Sequence, residues 1–315
     1  MIYTVTLNPA IDRQYTVEKI TRNDVLRARD FRTDLGGNGF NVSRTLQQLG
    51  VQSIAVGFVG GLTGTRLVKG LDKLGIQTEF VQIAEETRTN TSITILNQNR
   101  YIKVNGPGPP IQTKEVAQLI NKIKVLASPD DWWVLSGSLP RSIPETFYAD
   151  LLRDIQTRGA QVCLDVSGEP LSLGYAANPC MIKPNLAEFN ELVNSALNTQ
   201  NEAFSAMKTL SQDSSQLCLL SMGMQGALLK HGDLIWSANA PRIREANPIG
   251  AGDALLAGFL AALTGGESLP EALRWGVASG SIAASLPGTH FGSIADHETM
   301  LPLIHCEERW TITMN

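Results

Sequence analysis

Apolar and polar positions follow two alternating periods along this chain, and the change from one to the other marks out its elements. Residues 2–7 alternate and are β-rich before Asn8-Pro9, which predicts a strand running into a turn. From Phe40, the residues Val42, Leu46 and Leu49 share one helical face and Gly50 supplies the stop. A strand over 53–59 and a helix over 64–74, stopped by Gly75, come next. Beyond Pro110 the alternation is regular. It predicts helix 113–126, strand 132–136, helix 144–158, strand 161–165, a short helix and strand 180–183. Helices 186–196 and 201–211, strand 216–221, a hairpin over 226–237 turning at His231-Gly232-Asp233, and helices 252–264 and 269–285 complete it. Strands alternating with helices imply a parallel sheet covered on both faces. Two β-rich stretches, 13–34 and 88–107, break the alternation and are expected to pair as a small separate sheet. The expected organisation is an α/β core of 1–12, 35–87 and 108–315 with those stretches as a lid.

Composition narrows the class. With 43% hydrophobic and 18% charged residues, the 315-residue chain is no disordered polymer. A net charge of -4 argues against a generally basic nucleic-acid binder. The four cysteines, Cys163, Cys180, Cys218 and Cys306, show no CxxC spacing, so free thiols in a reducing compartment are expected. Met1–Leu7 has no basic region ahead of an apolar stretch, and the apolar run Ala254–Leu263 falls short of the ~20 residues of a membrane span. A soluble cytoplasmic protein, with no membrane partner, is the expectation.

Two glycine-bearing turns and the turn after the first strand could carry chemistry. Asn247-Pro248-Ile249-Gly250-Ala251-Gly252-Asp253 directly precedes the apolar helix. Small residues there let backbone N–H groups approach an anion, and the helix dipole adds attraction. Asp253 could act as a base beside that anion, or could simply complement the helix N-terminus. Leu35-Gly36-Gly37-Asn38-Gly39-Phe40-Asn41 permits close approach to a sugar, with Asn41 able to donate and accept hydrogen bonds. Asp12, after Thr6-Leu7-Asn8-Pro9-Ala10-Ile11, falls where ligands of open α/β sheets sit, or is a turn former. Gly57–Gly64 does not spell GxGxxG, and no GxxxxGK[ST] occurs, so neither a dinucleotide fingerprint nor a Walker cradle is present. His231, His290, His297 and His305 read as scattered surface histidines and Trp132-Trp133 as core. Ser136 and Ser138 lack a GxSxG elbow and read as a structural turn.

The ordered set of motifs is more specific than any member. The chain resembles the ribokinase-like carbohydrate kinases of the phosphofructokinase-B branch. The matching segments are Thr6–Asp12, Gly36–Val42, Thr87-Arg88-Thr89-Asn90, Ser136–Pro140, Asp165–Gly168, Lys183–Glu188, Ser221–Ala227 and Gly250–Asp253, in the family's order from residue 4 to about 290. The resemblance implies a Rossmann-like core with a small β-sheet lid, ATP and Mg²⁺ as cofactors, and a homodimer formed through the lid. It implies that Asp253 is the base and that Gly250, Ala251 and Gly252 form an anion hole, which suits phosphoryl transfer. Glu188, with Asn185, would organise Mg²⁺ largely through water; Lys183 would lie at the phosphate side, and Ser221, Gly223 and Gly226 would form the nucleotide-binding turn. Asp12, Gly37, Asn38 and Asn41 would face the sugar, and Arg88 would grip a substrate phosphate bidentately. Lys103 could add a second charge; Arg27 reads rather as a solvated lid residue. Asn38 stands where the nearest members usually carry lysine. The expected activity is phosphorylation of a ketohexose phosphate, first of all fructose 1-phosphate to the bisphosphate. Tagatose 6-phosphate and fructose 6-phosphate are the alternatives, and a non-catalytic sugar-phosphate sensor is the rival from another class.

Overall fold

A computed structural model describes residues 1–21, 25–98, 100–210, 216–288 and 290–309. Strand β1 (Ile2–Thr6) is followed by β2 (Ala10–Val17), β3 (Asp30–Gly36), helix α1 (Asn38–Gln48), β4 (Ser53–Gly60), α2 (Gly61–Lys73), β5 (Gln77–Ile83), β6 (Arg88–Ile95) and β7 (Arg100–Val104). The regular part comprises α3 (Thr113–Leu126), β8 (Trp132–Ser136), α4 (Phe147–Gln156), β9 (Gln161–Asp165), α5 (Glu169–Ala176) and β10 (Met181–Ile182). It continues with α6 (Leu186–Leu192), α7 (Gln200–Thr209), β11 (Leu217–Ser221), β12 (Ala227–His231) and β13 (Leu234–Ala238). The chain closes with α8 (Ala251–Thr264), α9 (Leu269–Ser285), α10 (Ile294–Met300) and β14 (Cys306–Glu308).

The main sheet has the order β14-β13-β12-β11-β10-β9-β8-β1-β4-β5. From β5 to β11 its strands are parallel, and β12, β13 and β14 add an antiparallel edge. Helices cover both faces, so the central strands are apolar on both sides; every residue of β1 is buried. One face packs against α8 and α9 through Leu256, Phe259, Leu260, Leu273 and Val277. The other packs against α3 and α4 through Leu119, Ile123, Tyr148 and Leu152. The two stretches that broke the alternation form a second sheet, β3-β2-β6-β7, in which β2 and β6 run parallel. Asp12 lies inside β2, opposite Asn90 of β6, and not in the turn after β1.

Several boundaries move for local reasons. The expected helix 186–196 ends at Leu192, because Asn194 takes a left-handed φ of 49° and the Asn190 side chain pairs with the Leu197 backbone. Helix 144–158 begins only at Phe147, after Pro144. The last residue of the expected helix 201–211 lies outside the described residues. Strand β5 has no counterpart in the pattern reading, since it is an edge strand with charge and little alternation. His297 is no surface residue. It is buried between α9 and α10, with Nε2 at 2.7 Å from Ser279 Oγ and Nδ1 at 2.9 Å from Ser293 O. Trp133 is core, stacked on Tyr3 with ring centroids 4.2 Å apart. The four cysteines are free.

Candidate active site

Thr6, Ser136, Asp165 and Ser221 end strands β1, β8, β9 and β11, and Lys183 directly follows β10. The parallel strands therefore deliver their last side chains to one edge, the edge at which open α/β sheets bind ligands. Two cavities open there. One, of about 380 Å³, lies between this edge and the small sheet; Asp12, Gly37, Asn41, Arg88, Lys103 and Gly250 line it. The other, of about 830 Å³, runs between the edge and helices α8 and α9; Lys183, Asn185, Ser221, Gly223, Gly226 and Ala251 line it. Asn38, Asp165, Glu188, Gly252 and Asp253 line both. Arg27 is exposed and lines neither.

Asp253 stands at the junction because Gly250 turns the chain into α8. Gly250 adopts a left-handed φ of 83°, which a residue with a Cβ would resist. The Asp253 carboxylate accepts a 2.8 Å hydrogen bond at Oδ2 from Asn41 Nδ2. Burial, helped by the negative charge of Asp165, pushes this carboxyl up to about 7. A carboxylate with that affinity has the proton affinity that general-base catalysis near neutral pH requires. Beside it, Lys183 Nζ and Asp165 Oδ1 form a 2.9 Å ion pair, and Ser136 Oγ donates to Asp165 Oδ2 at 3.1 Å. Burial works against the Lys183 charge, yet the Asp165 carboxylate outweighs it and holds the ammonium above its ordinary value.

Glu188 sits in the first turn of α6 and forms a capping box: its Oε2 accepts from Asn185 N at 2.8 Å, and Asn185 Oδ1 accepts from Glu188 N at 3.0 Å. One carboxylate oxygen is thus committed to the cap. Burial raises the Glu188 carboxyl, while the Asn185 amide opposes the shift. Among the described residues no three His, Cys, Asp or Glu side chains cluster as a metal cage. A single carboxylate with open cavity beside it fits an ion that keeps most of its water, as Mg²⁺ does.

At the small sheet, Asn90 Nδ2 donates to Asp12 Oδ1 at 2.7 Å. Gly36 makes room for that carboxylate: a Cβ there would lie 2.6 Å from Asp12 Oδ2. Burial raises the Asp12 carboxyl and the Asn90 bond opposes it. Arg88 lines the cavity, and three of its five N–H donors go to the backbone. Nε and Nη2 both donate to Asn8 O, at 3.1 and 2.8 Å, and Nη1 donates to Gly106 O at 2.9 Å. Arg88 thus ties β6 to the segments on either side and keeps one N–H on each of Nη1 and Nη2. Lys103 of β7 is exposed and reaches the same cavity. The Ala251 N–H donates to Pro248 O at 3.2 Å, and the Asn41 amide faces Asp253.

The Asp165 contact with Lys183 and the Asn90 contact with Asp12 escaped the sequence reading. Asp165 and Lys183 end one strand and follow another, so only strand order brings them together. Val277, Gly280, Ser281 and Ala284 of α9 also line the large cavity, although no motif marks them.

Two cavities that meet at a buried, hydrogen-bonded carboxylate on the rim of a parallel sheet suit an enzyme that brings two ligands together. The sequence comparisons agree with that class and narrow it. The description "pfkB family carbohydrate kinase" matches residues 4–296, and the chain belongs to that family of carbohydrate kinases. It is 34% identical over 312 residues to a 1-phosphofructokinase of Borreliella burgdorferi, covering 99% of this chain and 100% of that protein. It is 36% identical over 284 residues to a 1-phosphofructokinase of Bacillus subtilis, covering 90% of this chain and 92% of the other. Among solved structures, phosphofructokinase-2 of Escherichia coli in complex with substrates and products superposes with a TM-score of 0.89 at 29% identity, covering 96% of this chain and 98% of that one.

Proposed function

We propose that this carbohydrate kinase transfers the γ-phosphoryl group of ATP to fructose 1-phosphate, giving fructose 1,6-bisphosphate and ADP. The observation that carries the reading is the position of Asp253, shared by both cavities, with a proton affinity tuned near neutrality. The similarity to two 1-phosphofructokinases supports the choice of sugar.

In this reading the smaller cavity takes the sugar phosphate. Asp12, Gly37 and Asn38 face its hydroxyls, while Lys103 and the Arg88 charge face its phosphate. The larger cavity takes ATP, with Ser221, Gly223 and Gly226 along the nucleotide and Lys183 and Asn185 toward its phosphates. Asp253 accepts the proton of the acceptor hydroxyl as that oxygen bonds to the γ-phosphorus and the bond to the bridging β–γ oxygen breaks. Gly250 and Gly252 receive the charge of the transferred group at the N-terminus of α8. The Ala251 N–H, turned to Pro248 O, contributes less. Mg²⁺, when bound, neutralises charge on the nucleotide phosphates, and Glu188 is the carboxylate that fits it, through water.

The segments 13–34 and 88–107 form the lid in this reading, and 1–12, 35–87 and 108–315 the core. Closing such a lid excludes water and favours transfer to sugar over hydrolysis of ATP. Exposed apolar side chains on the small sheet, Phe31, Tyr101 and Val104, suit a homodimer formed through it. No helix among the described residues is long and apolar enough to cross a membrane. We assign the enzyme to the cytoplasm on its free cysteines.

A coupled assay of ADP release across fructose 1-phosphate, fructose 6-phosphate and tagatose 6-phosphate tests the proposal. The highest kcat/KM is expected on fructose 1-phosphate. A preference for either 6-phosphate reassigns the sugar, and turnover of none of the three removes the reading.

A further inference from the structure

The larger cavity carries an imbalance of charge. The carboxylates of Asp165, Glu188, Glu245 and Asp253 line it, against two cations, Lys183 and Arg242. Lys183 is committed: its Nζ lies 2.9 Å from Asp165 Oδ1 with both side chains buried, and that carboxylate holds the proton on it. Arg88 and Lys103 line the smaller cavity and not this one. Arg242 is exposed and, among the described residues, forms no ion pair.

The segment that carries Arg242 is anchored on both sides. Residues 239–247 run from the end of β13 toward the turn before α8. At the start, Asn239 N donates to His305 O at 3.2 Å and Asn239 Oδ1 accepts from His305 N at 2.7 Å. At the end, Ala246 N and Asn247 N donate to Ala284 O of α9 at 2.9 and 3.1 Å. Between these anchors the segment passes the nucleotide-binding turn, where a Cβ on Gly226 would lie 2.8 Å from Ala240 N. Arg242 follows two residues later and lines the cavity, whereas the equally exposed Arg244 does not.

A triphosphate brings several negative charges into a cavity already rich in carboxylates, and a divalent cation offsets only part of them. We infer that Arg242 supplies the missing positive charge: its guanidinium contacts the phosphates of the bound nucleotide. A guanidinium suits that task, since it stays charged and pairs with phosphate oxygens through a planar fork. The inference rests on the kinase reading above and deepens it. It adds to Lys183 and Asn185 a phosphate contact that no glycine turn or strand end marks.

Calorimetric titration of the wild-type enzyme, Arg242→Ala, Arg242→Lys and Arg244→Ala with adenosine and with ATP and Mg²⁺ tests this. Arg242→Ala should weaken ATP binding roughly 10-fold, the scale of one charge-assisted contact, and leave adenosine within about twofold of wild type. Arg242→Lys should recover part of the loss, and Arg244→Ala should show none. In steady-state kinetics with the wild-type enzyme's preferred sugar phosphate, Arg242→Ala should raise the ATP KM by a similar factor and leave the sugar KM unchanged. Equal weakening of adenosine and ATP, or no weakening of either, overturns the inference. An equal loss in Arg244→Ala also overturns it, since that marks the general charge of the segment and not a contact. If the wild-type enzyme binds ATP and phosphorylates a sugar phosphate while Arg242→Ala matches it, the inference alone falls. If the wild-type enzyme binds no ATP, the kinase reading fails and the inference falls with it.

Discussion

Lys183 and Asp165 face each other across 2.9 Å between Nζ and Oδ1, with side chains only 5% and 7% exposed. The pair lies between strands that are neighbours in space but 18 residues apart in sequence, on the wall of the larger cavity. Burying two charges is costly unless each satisfies the other, and here Ser136 supplies a further hydrogen bond.

Breaking this pair on one side should destabilise the fold strongly. Lys183→Met leaves a buried carboxylate without its cation, for which a loss of about 3–5 kcal/mol is expected in urea unfolding. The double variant Lys183→Met with Asp165→Leu should recover much of that stability and none of the activity. If the double variant is as unstable as the single one, the charge is not the source of the loss.

Replacing the proposed base should separate chemistry from binding. Asp253→Asn keeps the contact with Asn41 through its carbonyl oxygen but accepts no proton. Turnover should fall by at least ~10²-fold, while ATP affinity measured by calorimetry stays near wild type.

The same group sets the pH dependence. Asp253 must be ionised to act, so kcat should fall as pH drops through about 7. Stability runs the other way. The folded carboxyl binds its proton more tightly than the usual 3.8, so the native state loses stability as pH rises from that value through about 7. Asp253→Asn has no such titration. Its melting temperature should pull ahead of wild type between about pH 5 and about pH 8. A constant gap across that range would show that the carboxyl does not titrate there.

Arg88 and Lys103 should part company. Arg88 holds three backbone contacts and keeps two N–H groups for the phosphate, so Arg88→Ala should lower the melting temperature and reduce kcat/KM more on a sugar phosphate than on its dephosphorylated form. Lys103→Ala should leave the melting temperature alone and lower kcat/KM roughly 10-fold on the phosphorylated sugar only, the scale of one charge-assisted contact. An equal loss at Arg88 on both sugars would confine it to a structural role.

The architecture was largely legible in the chain because its signals are local. Alternation over 2–7 and 53–59, helical period from Phe40, and glycine stops at Gly50 and Gly75 need no partner to be read. The two β stretches that broke the pattern were also visible, and they became the second sheet. The failures lie where local signals compete or vanish. Edge strand β5 buries only Val81 and Ile83, too few positions to impose a readable period, Asn194 ends α6 early by taking a left-handed turn, and His297 looks polar in sequence but finds partners on α9 and α10.

By itself the sequence determined which residues reach the sheet's rim, since the turns and strand ends that carry Asn41, Lys183, Glu188 and Asp253 are set within a few positions. Only the tertiary structure decided what those residues touch. Asn41 is 212 positions from Asp253, and Arg88 is 80 from Asn8. A guanidinium or an amide has several donors, and the chain cannot announce whether they go to a ligand, a carbonyl or a carboxylate. That choice follows from burial and strand order, which exist only once the sheets have packed.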